Sequence, residues 1–282
     1  MTATSQGAMR ARYASIMAPV NLGTGAEATI RLAAGLASRF SARLIGVAAE
    51  DIVLPYYGDS VAAMDAILIE DARKAAAEHI EQAETLFRRV AAGGPVLDWR
   101  AAVDASRFYV LAQARAADLV VLARSGPDDP DQGRMALSPG DLVMELGRPV
   151  LVAPPGVESV SAKRVVIAWK NTREARRAVW DALPLLMQAE SVMVLTVGQE
   201  AAESGAQDVC AYLAGHHIAA RALTRPDSGR TALDEIGAIV RQESADLIVA
   251  GAFGHSRLRE WIFGGVTRDL LQATPVCCLM SH

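Results

Sequence analysis

A pentapeptide that recurs along the chain constrains its architecture more than any other feature. Ala117-Asp118-Leu119-Val120-Val121 returns 128 positions later as Ala245-Asp246-Leu247-Ile248-Val249. At the same offset Gly126 falls on Gly254 and Pro149 on Cys277, whereas Val47 matches Val197 at an offset of 150. The second copy is therefore 22 residues shorter between those two points. A repeat of this length is a whole folding module, well beyond the ~20–50-residue unit of a solenoid. In both copies short β-branched runs alternate with helical patterns. Such runs suit strands buried on both faces, and parallel neighbours need a helical crossover. The expected fold is α/β, two tandem doubly wound domains with five parallel strands each. They span residues 13–155 and 164–282, separated by the break Ala153-Pro154-Pro155-Gly156 and a linker over 157–163.

The spacing of apolar residues predicts strands at 15–20, 43–48, 96–101, 118–123 and 149–152 in the first copy. Helices are predicted at 26–40, 61–92, 106–116 and 141–146. In the second copy strands are predicted at 164–169, 192–197, 218–223, 247–250 and 276–280, and helices at 172–188, 203–215, 229–243 and 266–273. Pro184 marks a bend in the first of these helices. The helix at 203–215 is much shorter than its counterpart at 61–92, which locates the 22-residue difference.

Aromatic residues make up only 5% of the chain, so the cores must be aliphatic. A formal net charge of −4 excludes a broad nucleic-acid surface, which needs a concentrated basic excess. No apolar run reaches the ~18 residues of a membrane span. Residues 1–12 are polar, so no secretory signal is expected. Cys210, Cys277 and Cys278 lack metal-ligand spacing, and their sparse use fits a reducing, cytoplasmic setting. In a strand, adjacent Cys277 and Cys278 should face opposite ways.

The chemistry-bearing stretch lies after the strand at 247–250. Gly251 and Gly254 open a loop there, and Gly264-Gly265 closes it where a helical pattern starts. Glycines at a strand end and a helix start let backbone N–H groups approach an anion, with the helix dipole in support. A nucleotide phosphate is one reading; a glycine-bearing turn is the other.

Each copy resembles a universal stress protein domain, and the chain from about Tyr13 to Met280 resembles a tandem member of that family. The motif that carries the resemblance is Gly251-x2-Gly254-x9-Gly264-Gly265, although Gly265 stands where Ser or Thr is expected. The resemblance implies an adenine-nucleotide α-hydrolase-like fold whose last strands pair, so that 149–152 and 277–280 would join the two domains as a pseudo-dimer. It implies an adenine-nucleotide site (ATP, ADP or AMP, with Mg2+ accompanying ATP) in the second domain. The residues carried over are Ala168, Lys170, Val197, Gly251, Gly254, His255, Gly264, Gly265, Val266 and Thr267. Val197 would meet adenine through its backbone. Lys170 replaces the usual Asp near adenine and ribose; it cannot accept a ribose hydroxyl's hydrogen bond but can reach a phosphate. Arg257 and Arg259 are candidate phosphate partners.

The first domain is poorly equipped for the same ligand. Ala123, Ala136 and Leu137 replace Gly251, Gly264 and Gly265, and Leu137 puts a bulky side chain where phosphate would sit. Three functions remain open: a cytosolic stress-response binding protein with a nucleotide site, a ligand-free scaffold, and a slow ATP hydrolase. No Gly-x-Ser-x-Gly elbow, P-loop or metal cluster supports stronger enzyme chemistry, and no catalytic residue is assigned. The partners expected are an adenine nucleotide, the other domain of the chain and a second copy in a homodimer; nucleic acid and membrane are not among them.

Overall fold

A computed structural model describes residues 11–52, 62–124, 135–198, 203–226, 229–252, 270–271 and 273–282, with the side chains of 62–66 left aside. Ten strands form one sheet. The first five are β1 (Ser15–Pro19), β2 (Arg43–Ala49), β3 (Leu97–Ala102), β4 (Leu119–Ala123) and β5 (Val150–Ala153). The others are β6 (Arg164–Ala168), β7 (Ser191–Val197), β8 (Ala220–Arg225), β9 (Leu247–Gly251) and β10 (Cys277–Ser281). Their order across the sheet is β3-β2-β1-β4-β5-β10-β9-β6-β7-β8. Every neighbouring pair is parallel except β5 and β10, which run antiparallel with Leu151 opposite Leu279. The two halves of the order mirror each other about that pair.

Among the described residues seven α-helices with defined bounds cover the two faces. Those on one face are α1 (Ala26–Phe40), α2 (Ala62–Val90), α5 (Arg173–Leu186) and α6 (Ala206–Gly215). On the other lie α3 (Ser106–Gln113), α4 (Pro139–Glu145) and α7 (Ala232–Gln242). Successive strand residues alternate between the two cores, as the pleat demands. Leu247 and Val249 join the first core, Ile248 and Ala250 the second. Cys277 and Cys278 divide the same way, and burial pushes both thiols up, Cys277 to about 12.

The recurring aspartates explain why the pentapeptide repeats. Asp118 accepts the N–H groups of Ala14 and Ser15 at 2.8 and 3.0 Å, fixing the start of β1 beside β4. Asp246 accepts those of Lys163 and Arg164, each at 3.0 Å, and so fixes β6 beside β9. Each carboxylate satisfies backbone donors that precede the sheet ladder.

Helix and strand ends depart from the sequence pattern by one to three residues at several places. The strand expected at 218–223 is β8, displaced two residues toward the C-terminus, with His217 left-handed at φ 61° and Ile218 buried ahead of it. The helix expected at 106–116 ends at Gln113 and tightens to a 3₁₀ turn over Ala114–Ala116. Pro184 sits inside α5, which continues to Leu186. It gives up one ladder bond, and the apolar face of the helix remains buried. The linker is not a free spacer: Arg39 Nη1 donates to the Ser161 carbonyl at 2.8 Å, and the Ser161 hydroxyl donates to Asp246.

The largest difference between the halves is helical. α2 has 29 residues and α6 has 10. In the first half Phe87 of α2 and Trp99 of β3 stack 5.4 Å apart over Gly46. A Cβ at Gly46 would come within 2.7 Å of the Trp99 ring, so glycine is required there.

Candidate functional site

In each half the chain adds strands outward on one side and then returns to the other. For the second half the reversal falls between β6 and β9, which pair through Ala168 and Ala250. The crevice beyond the carboxyl ends of those strands is where open α/β sheets bind ligands.

Ala168 closes β6, and Gly251 closes β9 on the far side of the crevice. Lys170 lies two residues past Ala168 and is exposed; its carbonyl accepts the Thr172 N–H at 2.7 Å. Val197 ends β7 opposite Arg225, one strand further out. The structure thus brings Ala168, Lys170 and Gly251 to the switch point, with Val197 beside them. Gly254, His255, Gly264, Gly265, Val266 and Thr267 lie outside the described residues, as do Arg257 and Arg259. Leu270 and Leu271 are helical, within the helix predicted at 266–273.

Gly251 has a packing reason of its own. A Cβ there would lie 2.4 Å from Ala175 N and 2.7 Å from the carbonyl carbon of Glu174. The end of β9 therefore touches the backbone of the first turn of α5. That turn is capped by Thr172, whose hydroxyl accepts the Ala175 N–H at 3.2 Å. Glu174 is buried in the same turn, a residue that sequence reading did not single out. Burial raises its pKa, but hydrogen bonds from Arg173, its own N–H and Thr172 outweigh burial and leave the carboxyl below its ordinary value. A buried acid following a helix cap is the only sequence signal for it, and that pattern also fits an exposed capping residue.

The equivalent crevice in the first half is lined by two bulky apolar side chains. Met135 is only 5% exposed there, and Leu137 packs beside it. A cavity of about 40 Å³ remains between Pro19, Thr29 and Leu137, too small for a nucleotide. Asn21 uses its side chain locally, accepting the Gly23 N–H at 3.1 Å. Arg124 is turned toward the other half, its Nη2 donating to the Thr274 carbonyl at 2.9 Å.

Among the described residues no group of three or more His, Cys, Asp or Glu side chains is placed to hold a metal ion, and no helix is long and apolar enough to cross a membrane. His216 packs edge-on against Tyr212 and Trp180, at ring distances of 4.8 and 6.1 Å, while His217 is exposed.

Comparison with known proteins agrees with this architecture. Residues 179–282 match the universal stress protein family. Among solved structures, a universal stress protein from Archaeoglobus fulgidus DSM 4304 superposes with a TM-score of 0.69 at 12% identity, covering 95% of this chain and 97% of the other. A functionally unknown protein from Pseudomonas aeruginosa PAO1 superposes with a TM-score of 0.54 at 15% identity, covering 95% and 92%. At such identities the likeness is one of fold. Among curated proteins none matches the sequence.

Proposed function

From the match of residues 179–282 to the universal stress protein family we propose that this chain is a UspA-like member, a cytosolic stress-response binding protein with one adenine-nucleotide site, formed by the second half. The observation that carries this reading is the asymmetry of the two switch points. The first carries the apolar side chains of Met135 and Leu137 on its lining, where the second copy has glycine in place of Leu137. The second has Gly251 and Lys170 on either side of the crevice, and Gly254, Gly264 and Gly265 follow in the sequence. Residues 13–155 act as the structural partner, and residues 164–282 bind. Lys170 supplies a cation for phosphate where an acid would have met ribose. The nucleotide acts through its effect on conformation or partner binding, and hydrolysis is slow or absent.

Calorimetric titration of the full chain with ATP, ADP and AMP, with Mg2+ present for ATP, tests the proposal. One site per chain is expected, weakened in Lys170→Ala and lost in Gly264→Val. Gly251 is a poor choice of variant, since any side chain there strikes α5. Absence of binding at about 1 mM nucleotide, where even weak sites begin to fill, would sink the proposal if the fold is intact. The ligand-free scaffold would then stand.

A further inference from the structure

A second cavity lies on the helical face of the second half, between α5 and α6, with a volume of about 400 Å³. It exists because α6 is short. In the first half the long α2 packs along α1, whereas ten residues of α6 leave part of α5 uncovered. The size falls within the ~300–1,000 Å³ of small-molecule sites.

Its walls are aromatic in a chain that is only 5% aromatic. Trp169 lies at the end of β6, Trp180 on α5 and Tyr212 on α6, with Val179 and Val209 between them. Trp180 is 60% exposed and Tyr212 40%, a costly arrangement for large rings unless something covers them. Trp169 is held in place before any ligand arrives. Trp169 donates its backbone N–H to the Leu195 carbonyl and its Nε1–H to the Ser204 carbonyl, each at 2.8 Å. Trp180 and Tyr212 both pack on His216. A ring fixed in the way that Trp169 is loses little side-chain entropy on binding.

The charges are as specific as the rings. Arg176 reaches the cavity from α5 and Asp208 from α6. The Arg176 guanidinium is oriented by Asn171, whose Oδ1 accepts from Nη1 at 3.1 Å. A polyanion would meet Asp208, and a plain hydrocarbon would cover two ions without pairing either. A ligand bearing one charge of each sign matches both walls.

We propose that this groove binds a small aromatic zwitterion, of which an aromatic α-amino acid is the simplest. The ring packs against Trp180 and Tyr212, the carboxylate pairs with Arg176 and the ammonium with Asp208. None of its lining residues is one assigned to the nucleotide crevice, although Trp169 and Asn171 flank Lys170, and the proposal stands whether or not that crevice binds.

The test is calorimetric titration of the full chain with L-phenylalanine and L-tryptophan, with phenylalaninamide, phenethylamine and L-leucine as controls. Saturable binding of an aromatic amino acid at one per chain is expected. The affinity should fall at least ~10-fold in Trp180→Ala and in Arg176→Ala, and similarly for phenethylamine, which lacks the carboxylate, and leucine, which lacks the ring. Trp180 is exposed, so its replacement should leave the melting temperature near that of the parent, which scanning calorimetry reads. No saturation by about 10 mM amino acid, equal binding of phenethylamine, or binding indifferent to Trp180→Ala in a folded variant would each overturn the proposal.

Discussion

Asp246 shows how one side chain can be conserved between halves for a structural reason. Its carboxylate takes two backbone N–H groups at the start of β6 and a hydroxyl from the linker. Asp246→Ala should cost about 2 kcal/mol, because donors that precede the sheet lose their acceptor. Asp246→Asn retains one acceptor and should cost less; urea denaturation of the two variants separates them. Asp181 behaves differently. Burial raises its pKa, and the Ser281 hydroxyl, Arg177 and Arg148 pull it only partly back. With the folded pKa above the unfolded one, the folded chain holds this proton more tightly. The stabilisation is complete below the unfolded pKa and fades as pH rises through the folded one. At pH 7 the carboxylate is therefore a burden. Asp181→Asn, which can still accept from Ser281, should raise the melting temperature at pH 7 and lose that advantage near pH 3. An equal gain at both values would contradict the cause.

At the scale of elements, much of the fold was legible because burial on two faces leaves a plain record. The runs at Ile16–Ala18 and Leu247–Ala250 admit few alternatives to buried parallel strands. The 22-residue offset identified the helix that shrank, and α2 and α6 differ accordingly. Boundaries were less legible where local chemistry competes with periodicity. Ile218 is apolar and buried, yet it precedes β8 because the left-handed turn at His217 delays the ladder. The candidate site was partly legible. Leu137 lines the first-half crevice, where the 128-residue offset sets it against Gly265. Gly251 was read as an opening for phosphate, whereas the described backbone shows the glycine accommodating α5. That contact is between elements about 75 positions apart, and no spacing rule reports it. The α5–α6 groove escaped for the same reason. Tyr212 is 32 positions from Trp180, and the cavity forms only where α5 and α6 meet.

For the whole molecule, the consequential junction is the antiparallel pairing of β5 with β10. Val150, Leu151, Val152, Cys278, Leu279 and Met280 are all fully buried there. The core on each face runs through this seam without interruption, so residues of both halves share both cores. Polar contacts reinforce it: the Tyr13 hydroxyl donates to the Asp181 carbonyl at 2.7 Å, and Arg177 Nη2 to the Gly147 carbonyl at 2.8 Å. Two-domain chains commonly unfold in separate steps. Here neither half can leave without exposing an apolar strand edge and opening both cores. The full chain should therefore melt in one transition, with calorimetric and van't Hoff enthalpies equal. Leu279→Asp places a carboxylate against Leu151 in the middle of the seam and should lower that single transition by many degrees. It should not split off a stable half. Two resolved transitions in the parent protein would mean that the halves are independent and merely abut. A single one also bears on regulation, because a ligand that tightens the second half then stabilises the first through the shared sheet.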